Sequence, residues 1–462
     1  MSFEFMAPLM FFGLVVFLLL GYPVAFSLAA NGLLFAFIGS QMGFLGFDQL
    51  QALPGRVFGI MSNATLLAIP FFTFMGLILE RSGMAEELLD SLGQLFGPIR
   101  GGLAYAVIFV GALLAATTGV VAASVIAMGL ISLPIMLRYG YDARLASGVI
   151  AASGTLAQII PPSLVLIVLA DQLGVSVGEM YRGAMLPALL LTGLYVGFVF
   201  AVTLFRPAAA PALPPEARTL QGGRLWLKAL SSIMPPLVLI FLVLGTIFLG
   251  VATPTEGGAM GAVGALALAL AKRRLSLELL KQAMDSTTRL TSFVIFILIG
   301  STVFSLVFQL LDGDTWVEGL LSALPGGELG FLIVVNLLVF GLAFFLDFFE
   351  IAFIIVPLLA PVAEKLGIDL IWFGVLLGIN MQTSFMHPPF GFSLFYLRSV
   401  APKSVRTSDI YWGAIPFVLI QVVMVAVVLA FPNLVMTKQA HVESQPVQIQ
   451  LDDTGPQFLP PP

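Results

Sequence analysis

The sequence predicts an all-α polytopic membrane protein, and three observations support that fold class. Of the 462 residues, 59% are hydrophobic and only 10% are charged, whereas soluble domains average about 25% charged residues. Apolar runs of about 20 residues, the length of a membrane-spanning helix, recur along the chain. Short polar motifs also recur at matching positions in the two halves. A water-soluble enzyme of this length could not cover its surface with so few charges.

Ten stretches have the length and composition of membrane-crossing helices. They lie near residues 6–20, 23–39, 64–79, 146–170, 184–205, 232–251, 256–271, 290–311, 371–397 and 411–431. Two of them, 146–170 and 371–397, contain a Pro-Pro pair in mid-span. Because proline removes a backbone hydrogen bond and bends or breaks a helix, we expect both of these helices to be broken.

Two further apolar stretches, 102–137 and 329–361, are too long for one crossing and are interrupted in the middle. The interrupting residues are Thr117, Thr118 and Gly119 in the first stretch, and Asp347 and Glu350 in the second. Non-helical backbone at membrane depth is tolerated only inside protein or beside a water-filled cavity. The pattern therefore predicts a re-entrant helical hairpin in each stretch.

The two halves repeat each other. Asp142 and Asp369 each lie 19 residues before the first proline of a break, Pro161 and Pro388. A Tyr-x-Gly-Ala motif follows each break. Each half contains five crossings, one of them broken, plus a hairpin. Because five is odd, the second copy is inserted upside down, and such inverted repeats with interrupted helices are typical of secondary transporters.

The repeat also predicts the domain organisation. The segments are a first repeat over 1–205, a linker over 206–231, a second repeat over 232–431 and a polar tail over 432–462. The Lys/Arg bias of short loops places the linker and segment 272–289 on the cytoplasmic side, and the acidic loop 312–328 outside. The tail is polar and Pro-rich, and we interpret it as flexible.

Composition excludes several kinds of function. The chain has no cysteine and two histidines, which excludes thiol chemistry, iron–sulfur clusters and Cys/His zinc sites. Nucleic-acid binding is excluded because Lys and Arg total 20 against 25 Asp and Glu, so no basic face can form. No nucleotide-binding loop of the Walker type is present. A membrane-embedded enzyme is therefore disfavoured.

The segment before the first Pro-Pro pair is polar for the middle of an apolar span. It contains Ser153, Gly154, Thr155 and Gln158, followed by Pro161. The break frees backbone carbonyls, and carbonyl and hydroxyl oxygens are the ligands that hard cations such as Na⁺ prefer. The half-helix beyond presents amides to an anion, so Ser153, Gln158 and Pro161 are candidate substrate contacts. The alternative is a proline kink satisfied by its own hydroxyls.

The second Pro-Pro pair has a matching polar segment. Its members are Asn380, Gln382, Thr383, Ser384, His387, Pro388 and Gly391. The candidate substrate contacts among them are Asn380, His387, Pro388 and Gly391. His387 is the only histidine within a predicted span, and ionisable residues inside a membrane are functional candidates. The alternative is a neutral, hydrogen-bonded packing residue at the break.

The tips of the two hairpins supply further candidates. The hydroxyls of Thr117 and Thr118 could join those of the first break around one cation. Asp347 and Glu350 stand three residues apart and share a face if that stretch is helical. Because unpaired buried carboxylates are costly, we expect a cation, a bound proton or a charged partner there. The alternative places one of them at the interface near the mouth of the hairpin.

These motifs together resemble the large membrane subunit of TRAP (tripartite ATP-independent periplasmic) transporters. The resemblance rests on the first hairpin, the segment before Ile160-Pro161-Pro162-Ser163, the segment Thr253–Ala259 and the second Pro-Pro break, and it covers residues 1–435. It implies an elevator-type transporter of the ion transporter superfamily in the bacterial inner membrane. It also implies Na⁺-coupled symport of an organic acid without an organic cofactor. The implied partners are a small four-helix membrane subunit and a periplasmic substrate-binding protein.

The resemblance also implies two Na⁺ sites with the substrate between them. The first would comprise Thr117, Thr118, Gly119, Ser153, Gly154 and Thr155, and the second Asp347, Gln382, Thr383 and Ser384. Two departures fall on the second site. The family commonly has Asp-Pro-Thr where Asp347-Phe348-Phe349 stands, and Thr where His387 stands. The bulky phenylalanines there favour a larger or more apolar carboxylate, such as an aromatic acid or a keto acid.

Three alternative functions remain at this point. The first is a stand-alone ion-coupled carboxylate transporter of related architecture that needs no binding protein. The others are a channel, whose flux would persist without gradient coupling, and a membrane-embedded enzyme. Neither the identity of the organic acid nor the Na⁺ stoichiometry follows from the sequence, and whether His387, Asp347 or Glu350 titrates during transport does not follow either.

Overall fold

The computed structural model describes residues 2–119, 121–218, 220 and 222–435, except for the side chains of Phe47, Thr117 and Thr118. The α-helices of this part of the chain are α1 Met6–Leu19, α2 Val24–Gln41, α3 Ala52–Met61, α4 Ala68–Arg81, α5 Met84–Phe96, α6 Gly102–Thr118, α7 Val121–Arg138, α8 Ala143–Thr155, α9 Leu164–Leu173, α10 Val177–Phe205, α11 Gly222–Phe248, α12 Pro254–Ala271, α13 Leu277–Leu310, α14 Gly313–Ser322, α15 Gly327–Leu342, α16 Phe348–Glu350, α17 Val356–Lys365, α18 Leu370–Gln382, α19 Phe392–Val400 and α20 Thr407–Ala430. The described residues form no β-strand, so the predicted all-α class is confirmed.

Six described helices are long and apolar enough to cross a membrane: α2, α7, α10, α11, α13 and α20. Helices α14 and α15 pass the same test together but meet at a bend of 114°. Large apolar side chains cover the surface of the bundle; Phe12, Leu204 and Phe241 are 65%, 64% and 69% exposed. Such a surface requires lipid or another apolar partner. The chain is a polytopic membrane protein.

Both predicted breaks lie at the Pro-Pro pairs. Helices α8 and α18 are each 13 residues long, and each begins at an aspartate N-cap, Asp142 and Asp369. Each is followed by a three-residue 3-10 turn before the break. The chain resumes as α9 after the first break and as α19 after the second. The peptide bond between the two prolines is cis in both breaks.

The two predicted hairpin regions are each built from helices that run to and from a tip. In the first, α6 ends at Gly119, whose φ of 58° is left-handed, and α7 returns. In the second, α15 leads to a turn, and the returning arm comprises α16, a π-helix over Ile351–Ile355 and α17. The second hairpin therefore has an interrupted returning arm that the first does not share.

The structure also contains three short helices that the sequence did not predict, α3, α5 and α14. They are 10, 13 and 10 residues long, which is too short for a membrane crossing. Helix α11 begins at Gly222, inside the linker predicted over 206–231. The start of the linker contacts the first half: Gly101 N donates to Ala210 O and Asp142 N to Ala209 O, both at 2.9 Å. Of the predicted tail, Pro432–Leu434 form a 3-10 turn and 436–462 lie outside the described residues.

Contacts between a helix of the first half and a helix of the second have counterparts between the two equivalent helices. Helix α2 packs on α13, while α12 packs on α4; α8 packs on α20, while α18 packs on α10. The hairpin helix α7 packs on α19, and α17 packs on α9. These paired contacts agree with two structurally repeated halves. That the second half is inverted across the membrane stays a prediction.

Charges distinguish the two ends of the bundle. The basic end carries the linker and the Lys272-Arg273-Arg274 run, and the acidic end carries the loop with Asp312 and Asp314. Asp142, the N-cap of α8, donates to Ala209 O of the linker and so lies at the basic end. That α18 begins at the opposite end is part of the predicted inversion.

Candidate functional site

The two broken helices touch at their last residues. Thr155 ends α8 and Gln382 ends α18, so they are equivalent positions in the two halves. Gln382 Nε2 donates a hydrogen bond to Thr155 Oγ1 at 3.1 Å. Both side chains are fully buried. The predicted first and second ion sites are thereby brought into direct contact.

The direction of the hydrogen bonds around Thr155 is determined. Its hydroxyl donates to Ala152 O at 2.8 Å, so it can only accept from its neighbours. It accepts from Gln382 and also from Gln421 Nε2, at 3.4 Å. Gln421 Nε2 donates in addition to Tyr195 OH at 2.9 Å. Both amides therefore turn their carbonyl oxygens away from Thr155.

Several buried polar atoms around this contact have no hydrogen-bond partner among the described residues. They are Ser153 Oγ, Gln158 Oε1 and Nε2, Gln382 Oε1 and Gln421 Oε1. Leaving such a group unpaired costs about 1–3 kcal/mol, so a cluster of them indicates a bound species. Most are oxygens, which suit Na⁺. The described residues contain no group of three or more His, Cys, Asp or Glu that could hold a metal.

The first hairpin encloses the first break. A Cβ on Gly111 of α6 would lie 2.6 Å from Ser153 Cβ, and one on Gly154 would lie 2.2 Å from Val125 Cγ2 of α7. At the tip, a Cβ on Gly119 would lie 3.2 Å from Leu164 Cγ. The structure thus packs Ser153 and Gly154 against the arms of the first hairpin, and Gly119 at its tip against Leu164 beyond the break. The side chains of Thr117 and Thr118 lie outside the described part.

The second hairpin contacts the second break in a different way. Asn380 Nδ2 donates to Asn336 O and Oδ1 of α15 at 2.7 and 3.0 Å. The hydroxyls of Thr383 and Ser384 donate to Asn380 O and Met381 O, both at 2.6 Å. Their protons are committed to their own helix, which leaves oxygen lone pairs for a cation.

Asp347 and Glu350 form a capping box at the tip of the second hairpin. Asp347 Oδ1 accepts from Glu350 N at 3.1 Å, and Glu350 Oε2 accepts from Asp347 N at 3.0 Å. Asp347 is the N-cap of α16 and Glu350 is its third residue, so the condition for a shared helical face, a helix through both residues, is not met. This arrangement occupies one oxygen of each carboxylate. A role for Asp347 as a cation ligand stays a prediction.

His387 is packed between aromatic rings. It is 1% exposed, stacks on Phe344 with ring centroids 4.2 Å apart, and meets Phe340 edge to face at 4.4 Å. Neither ring nitrogen has a hydrogen-bond partner within the described chain. His387 therefore packs as the alternative of a packing residue expects, but it lacks the hydrogen bond that this alternative included. The free nitrogens keep a substrate contact possible.

The two half-helices beyond the breaks differ at their first turns. Ser163 caps α9, where its Oγ accepts from Leu166 N at 3.4 Å. Helix α19 has Gly391 as its N-cap and therefore no side-chain cap. A Cβ on Gly391 would lie 2.6 Å from Phe385 O, so the turn requires glycine. The open first turn of α19 is the better place for an anion.

Sequence reasoning missed four contributors to this site: Gly111, Tyr195, Asn336 and Gln421. Asn336 and Gln421 are single amides in apolar helices, and that polarity was a usable signal. In the sequence, the Tyr-x-Gly-Ala motif indicates only that the two halves repeat each other. In the structure, Tyr181 OH donates to Ser163 O at 3.4 Å and Tyr411 OH to Pro389 O at 3.3 Å. Each tyrosine thus binds the break of its own half.

Comparison with known proteins identifies the family of this chain. Residues 11–434 match the family described as the tripartite ATP-independent periplasmic transporter, DctM component. The chain belongs to this family. It is the large membrane subunit of a TRAP transporter, which confirms the resemblance found in the sequence.

Individual relatives of this TRAP subunit cover most of its length. The C4-dicarboxylate TRAP transporter large permease DctM of Pseudomonas aeruginosa is 31% identical over 386 residues, covering 83% of this chain and 88% of that protein. The 2,3-diketo-L-gulonate TRAP large permease of Escherichia coli is 27% identical, covering 93% and 98%. The YdaH transporter of Alcanivorax borkumensis shares the fold, with a TM-score of 0.59 at 16% identity over 84% and 90%.

Proposed function

We propose that the chain is the permease subunit of a Na⁺-coupled importer of a small organic acid. The observation that carries the proposal is the contact of the two broken helices at Thr155 and Gln382, surrounded by buried oxygens without partners among the described residues. The relatives are named for C4-dicarboxylates and 2,3-diketo-L-gulonate. Both are carboxylates, which supports an organic acid as the substrate class.

From their hydrogen bonds we infer different roles for the candidate cation ligands. Ser153 Oγ has no partner in the described chain, and Thr383 and Ser384 keep free lone pairs, so these oxygens are available to Na⁺. Thr155 Oγ1 accepts from two amides and has no lone pair left. In our proposal Thr155 therefore positions Gln382 and does not bind the ion through its hydroxyl.

The substrate carboxylate would bind at the open first turn of α19. His387 precedes this turn, and its nitrogens are free within the described residues. Phe340 and Phe344 contact the imidazole ring and would also face the body of the acid. These rings support a planar or apolar body, such as that of an aromatic or keto acid.

Transport would proceed by an elevator movement of the two hairpins and two broken helices against the flanking helices. Coupling requires that Na⁺ and substrate stabilise the same closed core, so that a half-loaded core moves slowly. We place the basic end in the cytoplasm and the acidic end outside the inner membrane. A periplasmic binding protein would deliver the acid at the acidic end, and a small four-helix subunit would support the flanking helices.

Uptake by proteoliposomes that contain the chain and its two partners tests the proposal. Organic acids bound by the cognate binding protein serve as substrates. Replacing external Na⁺ by K⁺ should lower the initial rate at least about tenfold, because the ion ligands are neutral oxygens in a site of fixed size. Equal rates in the two salts would contradict Na⁺ coupling. Uptake that persists without the binding protein would favour the stand-alone alternative.

A serine substitution tests the ion site within the same assay. Ser153→Ala removes one ligand oxygen and should raise the half-saturating Na⁺ concentration about tenfold, since one lost contact of about 1.4 kcal/mol is a factor of ten. The matched control is Ser231→Ala, at an exposed hydroxyl that donates to Lys228 O. Wild-type Na⁺ dependence in Ser153→Ala would reject this ligand assignment.

A further inference from the structure

A cavity of about 370 Å³ opens at the acidic end of the molecule. Helices α3 and α13 form one of its sides, and α9 and the π-helix of the second hairpin form the other. Its lining includes Arg56, Asn63, Asp171, Ser301, Ser305 and Phe353. Its volume lies within the range of small-molecule sites, about 300–1,000 Å³. We call this cavity the outer vestibule.

The floor of the outer vestibule belongs to the second hairpin. Ser301 Oγ of α13 donates to Phe353 O, in the π-helix, at 2.5 Å. A π-helix is uncommon and often marks a functional position. The capping box of Asp347 and Glu350 directly precedes this π-helix in the chain. A molecule in the outer vestibule would therefore contact the returning arm of the hairpin that borders the second break.

The carboxylate of Asp171, in the wall of the outer vestibule, accepts hydrogen bonds from two neutral amides. Asp171 Oδ1 accepts from Asn63 Nδ2 at 2.6 Å, and Asp171 Oδ2 accepts from Gln172 Nε2 at 3.0 Å. These bonds fix the carboxylate against the loop before α4. Asp171 thus has hydrogen-bond partners of its own and does not form an ion pair with Arg56, within 4 Å, in the described chain.

Arg56 has an unusual partner for a guanidinium. Both terminal nitrogens donate to the same neutral atom, Gln309 Oε1, at 3.2 Å. The other basic side chains near this end are differently engaged: Lys365 pairs with Glu318, and Arg182 donates to Phe248 O. A carboxylate offers two charged acceptors in the geometry of the guanidinium fork, which is roughly twice as strong as a neutral acceptor. An incoming carboxylate can displace Gln309.

We propose that the outer vestibule receives the carboxylate of the incoming organic acid, and that Arg56 exchanges Gln309 for it. This inference rests on the proposed function for the identity of the anion. Gln309 also forms a side-chain hydrogen bond with Asp314 of α14, which experiences the Arg56 charge, but no described carboxylate lies within 4 Å of the guanidinium. Arg56 is a positioning residue at the outer side, and the acid then passes along the second hairpin towards the break.

Charged thiol reagents can test the site without any transport assay. The chain has no cysteine, so Ser305→Cys places a single thiol in the outer vestibule. The full chain in liposomes with its partners is treated with anionic sulfonatoethyl or cationic trimethylammonium-ethyl methanethiosulfonate. The ratio of the anionic to the cationic reaction rate should fall about tenfold when Arg56→Gln is added, since charged clefts change local ion concentrations by such factors.

Substitutions of Gln309 distinguish a free from an occupied guanidinium. Gln309→Glu gives Arg56 a carboxylate of its own and should lower the rate ratio as much as Arg56→Gln does. Gln309→Met leaves the guanidinium free and should keep the ratio or raise it. The matched control for lost charge is Arg289→Gln, near the other end of α13. An unchanged ratio in Arg56→Gln, or a wild-type ratio in Gln309→Glu, would overturn the proposal.

Uptake measurements separate this inference from the proposed function. Arg56→Gln should raise the half-saturating concentration of acid-loaded binding protein about tenfold with little change in maximal rate. If the reagent ratios shift as expected but the wild-type protein transports no organic acid, the proposed function fails while anion attraction by Arg56 is supported. If wild-type uptake is Na⁺-driven but Arg56→Gln changes neither readout, only the role of Arg56 is overturned.

Discussion

The direction of the hydrogen bond from Thr155 determines which atoms of two buried amides face the neighbouring space. Because Thr155 gives its proton to Ala152 O, the amides of Gln382 and Gln421 must approach with nitrogen, and their oxygens face elsewhere. A threonine that donated outward would reverse both amides and present donors to the surrounding space. The observed orientation favours a cation over an anion beside this contact.

Removing Gln421 should therefore destabilise the fold in a specific way. Gln421→Leu leaves the buried hydroxyl of Tyr195 without its amide partner, which costs about 1–3 kcal/mol. Tyr195→Phe removes that hydroxyl, so the double variant should be more stable than the sum of the single effects predicts, by about 1 kcal/mol. Thermal unfolding of the purified protein in detergent measures all four forms. If the losses of the two single variants add up to the loss of the double variant, the Gln421–Tyr195 hydrogen bond contributes nothing measurable to stability.

The glycines of the Tyr-x-Gly-Ala motif let helices of opposite halves approach closely. A Cβ on Gly413 of α20 would lie 2.1 Å from Arg144 O in the first turn of α8. A Cβ on Gly183 of α10 would lie 3.0 Å from Ile371 Cγ2 in the first turn of α18. Arg144 and Ile371 are equivalent positions, but the first contact involves backbone and the second a movable side chain. Small residues commonly allow such crossings in membrane proteins.

The two glycines should consequently differ in tolerance to substitution. Gly413→Ala forces a carbonyl of α8 to move and should destabilise the protein by about 3 kcal/mol, near the upper end for overpacking. Gly183→Ala is the matched control and should cost about 1 kcal/mol, because the contacts below 3.4 Å, Val435 Cγ1 at 2.9 Å and Ile371 Cγ2 at 3.0 Å, both belong to side chains that can move. Thermal midpoints in detergent give the comparison. Equal losses in the two variants would contradict the backbone argument.

Local chemistry explains which elements could be predicted from the sequence. The breaks follow from the Pro-Pro pairs, and the hairpins follow from apolar stretches too long for one crossing, because each signal is contained in one continuous segment of the sequence. Helices α3, α5 and α14 were missed since they are too short to cross a membrane. The Thr155–Gln382 contact was missed because it joins residues 227 positions apart, and no local pattern encodes that pairing. The capping box was not foreseen either, although the short side chain of Asp347 favours the N-cap position that it occupies.

Ion pairs connect the two halves at the basic end of the molecule. Glu87 of α5 pairs with Lys272 and Arg274, and Asp90 of the same helix pairs with Lys228 of α11. Partial burial raises the pKa of Glu87, but the hydrogen bond from Lys272 and the charges of Lys272 and Arg274 outweigh it. The pKa of Glu87 therefore lies below its ordinary value of 4.5.

This lowered pKa predicts a pH dependence of stability. The ionised form of Glu87 stabilises the folded protein above its ordinary pKa, and that contribution disappears as the pH falls through the lowered value. Glu87→Gln should lower stability by about 1 kcal/mol or less at pH 7, as expected for exposed ion pairs. Its thermal midpoint should then fall less than that of the wild type between pH 7 and pH 3.5. The control is Glu86→Gln, at an exposed neighbour.

The experiment is informative about the whole bundle because α5 belongs to the first half and its partners to the second. A variant that loses stability at pH 7 without any change in pH dependence would contradict the role of the Glu87 carboxylate. High salt should reduce the difference between wild type and Glu87→Gln, because exposed charges are screened over about 10 Å at 0.1 M.

Thr155 and Gln382 occupy the same position in two copies of one structural unit, yet they are not the same residue. Two threonines there would each commit their proton to their own helix, as Thr155 does with Ala152, and neither could donate to the other. Glutamine at the second position supplies the donor that a second threonine would lack. The bond between the halves therefore depends on their difference at this position, and we expect the two residues to change together as proteins of this kind evolve.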